Sequence, residues 1–355
     1  MRTPAWLLGS VLLLAGCATG DHTMRQHTTL QEGIDALMRD YDGQAPGASV
    51  LVLRDGQALV QRSYGLADFE SNIAANPDSN YRLASVSKQF TAAAILLLAQ
   101  DGRLRLDDPA RRWLPELPAA ADAVTIRQLL THTAGLIDYE DVMDPASEVQ
   151  VHDADVLRLL SSQDRTYFAP GSDYRYSNSG YALLALIVER ASGQRYATFL
   201  HDRIFTPLGM TGTVAYESGI SEVARRTYGY SFEHGRWKRT DQSSTSAVLG
   251  DGGIYSSIAD LAKWDAALYD ERLLRSEWLA RAFTPATATD DPDVRYGYGW
   301  RITGETLWHS GETIGFRNVI VRYPQRHLTV VVLTNRDDPE PYGLARQIAA
   351  LAMTR

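Results

Sequence analysis

The segment LASVSKQFTAAAILLLAQ, residues 83–100, decides both the fold and the chemistry that this chain can support. It is apolar from Ala92 to Ala99 and stops at Gly102, which predicts a helix that is buried on nearly every face. Ser85 falls at the first turn of this helix, and Lys88, three residues on, projects from the same face. The spacing alone also fits a Ser N-cap followed by an exposed Lys, since Ser-x-x-Lys occurs about once by chance in a chain of this length.

The use of lysine in this chain makes Lys88 informative. Of the 35 Lys and Arg residues only Lys88, Lys238 and Lys263 are lysines, so the chain uses arginine almost wherever it needs a positive charge. Arginine cannot lose its proton, whereas a buried lysine can approach neutrality and act as a base. A lysine beside a serine at a helix N-terminus therefore indicates proton transfer.

A second segment, FAPGSDYRYSNSGY at residues 168–181, carries two further polar side chains on a connection between elements. Pro-Gly marks a turn and the apolar pattern from Tyr181 starts a helix, so Tyr176 and Asn178 lie on the short link before it. A phenol can carry a proton when nearby positive charge lowers its pKa, and an Asn amide can orient both a lysine and a substrate carbonyl. The structural alternative is a packing Tyr with an Asn cap.

A third segment, WHSGETIGF at residues 308–316, precedes two apolar stretches at 316–323 and 328–334 that predict strands, and a helix is expected from about 341 to 353. Near the other end, residues 30–41 have helical spacing, and apolar runs at 48–54 and 57–60 flank Asp55-Gly56, a strong hairpin signal.

These patterns predict an α/β (α+β) fold in which both ends of the chain build one antiparallel sheet covered by the N- and C-terminal helices. The predicted domain spans 29–355, with a sheet lobe at 29–85 and 291–355 and an inserted, mainly helical lobe at 86–290. We expect the active site in the cleft between the lobes.

Composition excludes several classes of protein. The chain has 355 residues, 45% of them apolar, and a net charge of −8, so it lacks the positive field that nucleic-acid binding requires. A G-x-S-x-G elbow, a Gly-rich phosphate loop and the metal-binding patterns H-x-H and H-E-x-x-H are all missing from the sequence. We therefore expect no nucleic-acid partner, no metal and no cofactor.

The N-terminus predicts export. Arg2, a short apolar run from Ala5 to Ala15 and an abrupt change to polar residues form a signal peptide, 1–16, whose apolar run is shorter than the ~20 residues that span a bilayer. LAGC at residues 14–17 is similar to the bacterial lipobox, which implies cleavage before Cys17, the only cysteine, and its lipidation. Residues 17–28 are predicted to be a flexible tether, and Ala18 after the cysteine implies the periplasmic face of the outer membrane.

Ser-x-x-Lys, Tyr-x-Asn and His-x-Gly, in this order and at these separations, resemble the serine β-lactamase and penicillin-binding family, in the branch of class C β-lactamases, D,D-peptidases, esterases and D-aminopeptidases. The resemblance covers most of the mature chain. Segments 125–136, 204–210, 252–256 and 296–300 look like connecting segments of that family, and we interpret them as structural. His132, in the first of these, is expected to pack or cap.

The resemblance implies that Ser85 forms an acyl-enzyme and that Lys88 and Tyr176 transfer its proton, without deciding which of the two is the base. Asn178 is expected to orient Lys88 and the carbonyl side of the substrate. The oxyanion hole would be formed by the backbone N–H groups of Ser85 and Glu312. The third motif is expected to bind substrate through His309, Ser310, Gly311 and Glu312.

The third motif departs from the Lys-Thr-Gly that β-lactamases usually carry, which argues against β-lactam hydrolysis. If Ser310 faces the substrate, alternation along the strand predicts that the Glu312 carboxylate does too, where it would repel the carboxylate of a β-lactam. We therefore expect a peptide-type amide or an ester as substrate, with a small molecule or peptide as the binding partner. A class C-like β-lactamase is one alternative, and a lipid-anchored binding protein without turnover is another. The sequence leaves the oligomeric state open.

Overall fold

The computed structural model describes residues 30–354. The predicted signal peptide, the tether at 17–28 and the lipidation site Cys17 lie outside these residues. Among the helices within them, none combines the length and the apolar character needed to cross a bilayer.

The strands, in chain order, are β1 (Ala48–Arg54), β2 (Gln57–Tyr64), β3 (Leu66–Asp68), β4 (Ile73–Ala74), β5 (Tyr81–Arg82), β6 (Val214–Ala215), β7 (Tyr230–Glu233), β8 (Arg236–Arg239), β9 (Ile254–Ser256), β10 (Thr287–Ala288), β11 (Arg295–Tyr296), β12 (Arg301–Thr303), β13 (Thr306–Thr313), β14 (Phe316–Tyr323) and β15 (Leu328–Thr334).

The α-helices are α1 (30–37), α2 (Lys88–Gln100), α3 (Ala110–Trp113), α4 (Ile126–Leu130), α5 (Asp153–Ser161), α6 (Asn178–Ser192), α7 (Tyr196–Leu200), α8 (Thr206–Leu208), α9 (Leu249–Gly252), α10 (Ile258–Ala267), α11 (Ser276–Phe283) and α12 (Tyr342–Met353). A 3₁₀ turn, Ala84–Ser87, leads directly into α2.

An eight-stranded antiparallel sheet, in the order β10-β11-β12-β13-β14-β15-β1-β2, joins the two ends of the chain. This confirms the predicted architecture. The hairpin of β1 and β2 turns at Asp55 and Gly56, whose φ angles of 51° and 74° suit the tight turn that the sequence predicted. The sheet extends further toward the middle of the chain than expected, because β10 lies before residue 291.

The sheet separates two apolar cores. One face packs Val50, Val52 and Val319 against α1 and α12, and the other packs Leu51 and Ile320 against α2 and α6. This double packing explains why β15 is buried along its whole length and β1 is buried as far as Leu53. The α2 helix is buried from Lys88 to Leu98, as its apolar sequence predicted.

The inserted region is less purely helical than expected. It contributes β6 and β9 to a three-stranded sheet, β5-β9-β6, and contains the separate hairpin β7-β8. The small sheet pairs β5, just before the Ser85 turn, with β9, just after α9. Short strands of two or three residues give too little alternation to be recognised in the sequence.

Candidate active site

Lys88 is the centre of a hydrogen-bonded group formed by three separate segments. Its side chain is fully buried, and Nζ donates to Ser85 Oγ at 2.9 Å, to Asn178 Oδ1 at 2.8 Å and to the backbone oxygen of Asp251 at 2.9 Å. These acceptors belong to the 3₁₀ turn, to α6 and to α9. The structure therefore brings together the predicted pair of Ser85 and Lys88 and the predicted Asn178.

Ser85 lies at the mouth of an open cavity. The residue before it, Ala84, has φ of +49°, a conformation that costs energy for any residue with a Cβ and that holds the turn in an unusual shape. The cavity is lined by Arg82, Ala84, Ser85, Tyr139, Glu140, Asn178, Thr245, Asp251, Gly252, Glu312 and Thr313. The Ser85 hydroxyl thus faces a space that a substrate can enter.

Asn178 begins α6, and both the oxygen and the nitrogen of its side-chain amide form hydrogen bonds. Its Oδ1 accepts from Lys88, its Nδ2 donates to Glu140 Oε1 at 3.1 Å, and its backbone N–H donates to Asp138 Oδ2 at 2.8 Å. The Ser177 side chain caps the helix by accepting from the N–H of Gly180. These contacts fix the amide oxygen toward the lysine, as the sequence analysis expected.

Tyr176 lies beside Lys88 but is not hydrogen-bonded to it. The Lys88 Nζ stands 4.9 Å from the centre of the phenol ring, and the phenol oxygen is buried without a hydrogen-bond partner among residues 30–354. The ring stacks against the imidazole of His132 at 4.3 Å between centroids. Of the two predicted proton-transfer residues, only Lys88 contacts Ser85 directly in this structure.

His132 has the structural role that the sequence analysis expected. It is buried, and its Nδ1 accepts a hydrogen bond from the backbone N–H of Ser177 at 3.1 Å. Burial, with Lys88 nearby, lowers the pKa of His132 well below its ordinary value, so the ring is neutral. The histidine thereby holds the loop that carries Tyr176 and Asn178.

His309, which was expected to bind substrate, is buried and is not among the residues that line the cavity. The residue is 1% exposed and sits among aromatic rings, so it does not reach the cavity. Its Nδ1 lies 2.6 Å from the backbone oxygen of Ser310 and must carry the proton, because a carbonyl only accepts; the Tyr296 hydroxyl, 3.0 Å away, then donates to Nε2. Burial lowers the pKa of His309 well below its ordinary value.

Gly311 is required by close packing of β13 on the Ser85 turn. A Cβ at this position would lie 2.1 Å from the backbone oxygen of Leu83 and 3.1 Å from the backbone nitrogen of Val86. Only glycine allows the strand to approach the turn so closely. Gly311 therefore acts through its backbone, and the same contact shows which face of β13 looks toward Ser85.

Ser310 and Glu312 face away from Ser85, which corrects the expected orientation. Residues on their face of β13 pack toward the terminal helices: the ring of Trp308 stacks on Tyr342 of α12 at 4.0 Å, and Ser310 is paired with Val319 of that core. The Glu312 carboxylate is 4.0 Å from Arg317. The expectation failed because Ser310 was assumed to face the substrate.

Glu312 is nevertheless one of the residues that line the cavity. The β13-β14 hairpin closes at the pair Thr313 and Phe316. From this pair, the backbone groups of residues 313, 311 and 309 form hydrogen bonds to β14. The N–H of Glu312, between them, points to the opposite edge of β13. The β12 strand covers that edge only as far as Trp308. The predicted role of the Glu312 N–H in an oxyanion hole is compatible with this geometry.

The sequence analysis missed the acidic wall of the cavity, formed by Glu140 and Asp251. Asp251 is 7% exposed, and Tyr139 OH donates to its Oδ2 at 3.2 Å. Burial raises the pKa of Asp251 to about 8, and burial together with Asp138 raises that of Glu140. Both residues adjoin segments interpreted as structural, and no spacing rule relates them to Ser85, because the packing of α6 and α9 brings them together.

Within residues 30–354, no group of three or more His, Cys, Asp or Glu side chains is arranged to hold a metal ion.

We predict that the free energy of unfolding of Asp251→Asn rises relative to that of the parent as the pH rises. The carboxyl keeps its proton in the folded chain up to about pH 8 but loses it near its ordinary pKa of 3.8 in the unfolded chain. Asp251 therefore costs stability progressively across this range, and that cost is absent in the Asn variant. The difference in free energy of unfolding should grow by more than about 1 kcal/mol between roughly pH 5 and pH 8.5.

Urea denaturation at both pH values measures this difference. Asp141→Asn serves as the control, because Asp141 is an exposed carboxylate paired with Arg175 outside the cavity wall. A difference between Asp251→Asn and parent that does not change with pH would contradict the prediction.

Comparison with known proteins places the chain in a family. Residues 30–353 match the family described as Beta-lactamase. Penicillin-binding protein 4* of Bacillus subtilis (strain 168) is 33% identical over 316 residues, which cover 84% of this chain and 70% of that protein.

Solved structures agree in fold. The octameric penicillin-binding protein homologue from Pyrococcus abyssi has a TM-score of 0.81 and 26% identity, covering 92% of this chain and 77% of that one. D-amino acid amidase from Ochrobactrum anthropi SV3, complexed with L-phenylalanine amide, has a TM-score of 0.77 and 25% identity. The match covers 92% of this chain and 99% of the amidase. The chain therefore belongs to the β-lactamase family of serine hydrolases, as its three motifs predicted.

Proposed function

We propose that this serine hydrolase acts through an acyl-enzyme on Ser85 and cleaves a peptide-type amide or an ester. The observation that carries the proposal is the 2.9 Å hydrogen bond between Lys88 Nζ and Ser85 Oγ, made by a buried lysine that two further acceptors hold in place. A serine hydroxyl is a weak nucleophile until an adjacent base takes its proton. The same contact argues against a binding protein that has lost turnover.

The reaction proceeds in two steps. Ser85 Oγ attacks the carbonyl carbon and gives up its proton, the amine or alcohol leaves with a proton, and an ester to Ser85 remains. Water then attacks this ester and releases the acid and the free serine. Lys88 takes the serine proton when it enters the step neutral, and Tyr176, beside it, is the second group able to pass a proton to the leaving group.

The oxyanion that forms in each step is stabilised by main-chain donors. Ser85 and Glu312 line the same cavity, and the N–H of Glu312 lies on the part of the β13 edge that β12 leaves open. Because β13 packs on the Ser85 turn through Gly311, the two donors are held by rigid contacts rather than by a loop.

A D,D-peptidase-like, carboxypeptidase-like or esterase substrate is compatible with this chemistry, and a β-lactam is the alternative. The similar proteins bear the names of penicillin-binding proteins and of a D-amino acid amidase, which supports an amide substrate. The electrostatic objection to β-lactams no longer rests on Glu312, whose carboxylate faces away. Glu140 in the cavity wall now carries that objection, and Asp251 adds to it only above about pH 8.

We predict that Ser85→Ala abolishes turnover of an activated ester, leaving less than about a hundredth of the parent rate. Lys88→Arg should be nearly as damaging, since arginine keeps the charge but cannot release a proton. Steady-state hydrolysis of 4-nitrophenyl acetate by purified protein measures both variants, and thermal melting checks that they are folded. A folded Lys88→Arg enzyme with normal activity would refute proton transfer by Lys88.

We further propose that the protein is a lipoprotein, anchored through Cys17 at the periplasmic face of the outer membrane. The support is the sequence alone: a short apolar run after Arg2, a lipobox-like LAGC at 14–17 and a cysteine used nowhere else. The polar segment that follows would allow the hydrolase domain to reach substrate near the membrane.

We predict that Cys17→Ala moves the protein from the membrane fraction to the soluble periplasm or stalls its processing. The specific activity of the folded domain should not change, because the anchor and Ser85 belong to separate parts of the chain. Cell fractionation followed by immunoblotting measures the distribution. A wild-type protein found only in the soluble fraction would refute lipid anchoring.

A further inference from the structure

We propose that Glu140 and Asp251 form a recognition site for an ammonium group, so that the preferred substrate carries a free amine close to its scissile carbonyl. The inference rests on the proposed acyl-enzyme at Ser85 and adds the substrate class. Amino-acid amides and esters, and peptides with a free N-terminus, fit this description. Substrates that present a free carboxylate there, including β-lactams, do not.

Asp251 supplies a carboxyl oxygen that the protein leaves free. The side chain is 7% exposed and borders the cavity. Its Oδ2 accepts from the Tyr139 hydroxyl at 3.2 Å, while Oδ1 accepts no hydrogen bond from any residue in 30–354. Oδ1 is not one of the fully buried unpaired atoms, and Asp251 lines the cavity, so a ligand N–H in the cavity can pair with this oxygen.

Glu140 places a second carboxylate close to the reacting serine. Its Oε1 accepts from Asn178 Nδ2 at 3.1 Å, and the Asn178 oxygen accepts from Lys88, which in turn donates to Ser85. This chain of three hydrogen bonds links Glu140 to Ser85, and both residues line the same cavity. An amine near the scissile carbonyl would therefore reach it.

The neighbouring cations Lys88 and Arg82 form no salt bridge with these two carboxyls. Lys88 Nζ is bonded to three uncharged acceptors. The guanidinium of Arg82 is directed to Ser246, with Nη2 donating to the Ser246 backbone oxygen at 2.8 Å and Nη1 donating to its hydroxyl. Neither cation lies within salt-bridge distance of Glu140 or Asp251 in the described part of the chain.

The pKa values of Glu140 and Asp251 are both raised, which is expected for carboxyls that have no cation paired with them. Burial is the main cause that raises the pKa of each carboxyl, and acidic neighbours add to it: Asp138 for Glu140, and Asp153 with Glu140 for Asp251. The charge of Lys88 lowers both pKa values but does not offset these effects. Asp138 itself is occupied by backbone N–H groups of Asn178 and Glu140. A substrate ammonium would bring the opposite charge that favours both ionised forms.

Three 4-nitroanilides with the same leaving group test the inference: alanine 4-nitroanilide, in both its D and L forms, its N-acetyl derivative and its N-succinyl derivative. We expect kcat/KM for the better alanine enantiomer to exceed that of the acetyl compound at least about tenfold and that of the succinyl compound at least about a hundredfold. Hydrolysis of 4-nitrophenyl acetate, which is uncharged, reports on Ser85 separately.

Charge-removing variants assign the preference to residues. Glu140→Gln and Asp251→Asn should each reduce the amine-to-acetyl ratio of kcat/KM at least about fivefold, which corresponds to about 1 kcal/mol. Asp141→Asn is the control, because the Asp141 carboxylate accepts from Tyr167 and Arg175 and does not line the cavity. This variant should leave the ratio within about twofold. Glu140 is exposed, so its variant remains informative even where Asp251→Asn fails to fold.

The outcomes separate the two proposals. Ser85-dependent hydrolysis of 4-nitrophenyl acetate without an amine preference overturns the ammonium site and leaves the acyl-enzyme in place. An amine preference that both wall variants retain, or that Asp141→Asn also abolishes, overturns the assignment to Glu140 and Asp251. Turnover that persists in Ser85→Ala overturns the proposed function itself.

Discussion

The arrangement of the catalytic region depends on one buried ammonium group. Lys88 Nζ is fully enclosed and donates to acceptors from the Ser85 turn, from the start of α6 and from α9. A charge removed from water is tolerated only when its hydrogen bonds are satisfied, so these three segments cannot separate without exposing it or leaving it unpaired. The position of the nucleophile is therefore a consequence of how the lysine is buried.

A second constraint fixes the opposite side of the cavity. Gly311 lets β13 touch the backbone of the Ser85 turn, and the hairpin register with β14 turns the Glu312 N–H toward the open edge of the strand. The same register sends the Glu312 carboxylate to the far face, beside Arg317. One strand thus lines the cavity at Glu312 and Thr313, while Ser310 and the Glu312 carboxylate lie on the other face and His309 lies inside an aromatic cluster.

The sequence predicted the parts of the molecule that local chemistry determines. The buried helix after Ser85, the hairpin at Asp55-Gly56 and the contact of Asn178 with Lys88 follow from apolar spacing, turn residues and motif order. The directions of Ser310 and Glu312 depend on which face of β13 meets the Ser85 turn, and no residue type reveals this. Glu140 and Asp251 were missed for a related reason, because residues 111 positions apart in the chain meet only through tertiary packing.

The claim that Ser85 is the nucleophile is tested most directly by covalent labelling. Folded protein treated with a fluorophosphonate should gain one phosphonyl group, and peptide mapping by mass spectrometry should place it on the peptide that contains Ser85. Labelling should disappear in Ser85→Ala. A folded protein that takes up no label, or that carries it on a different serine, would contradict the account.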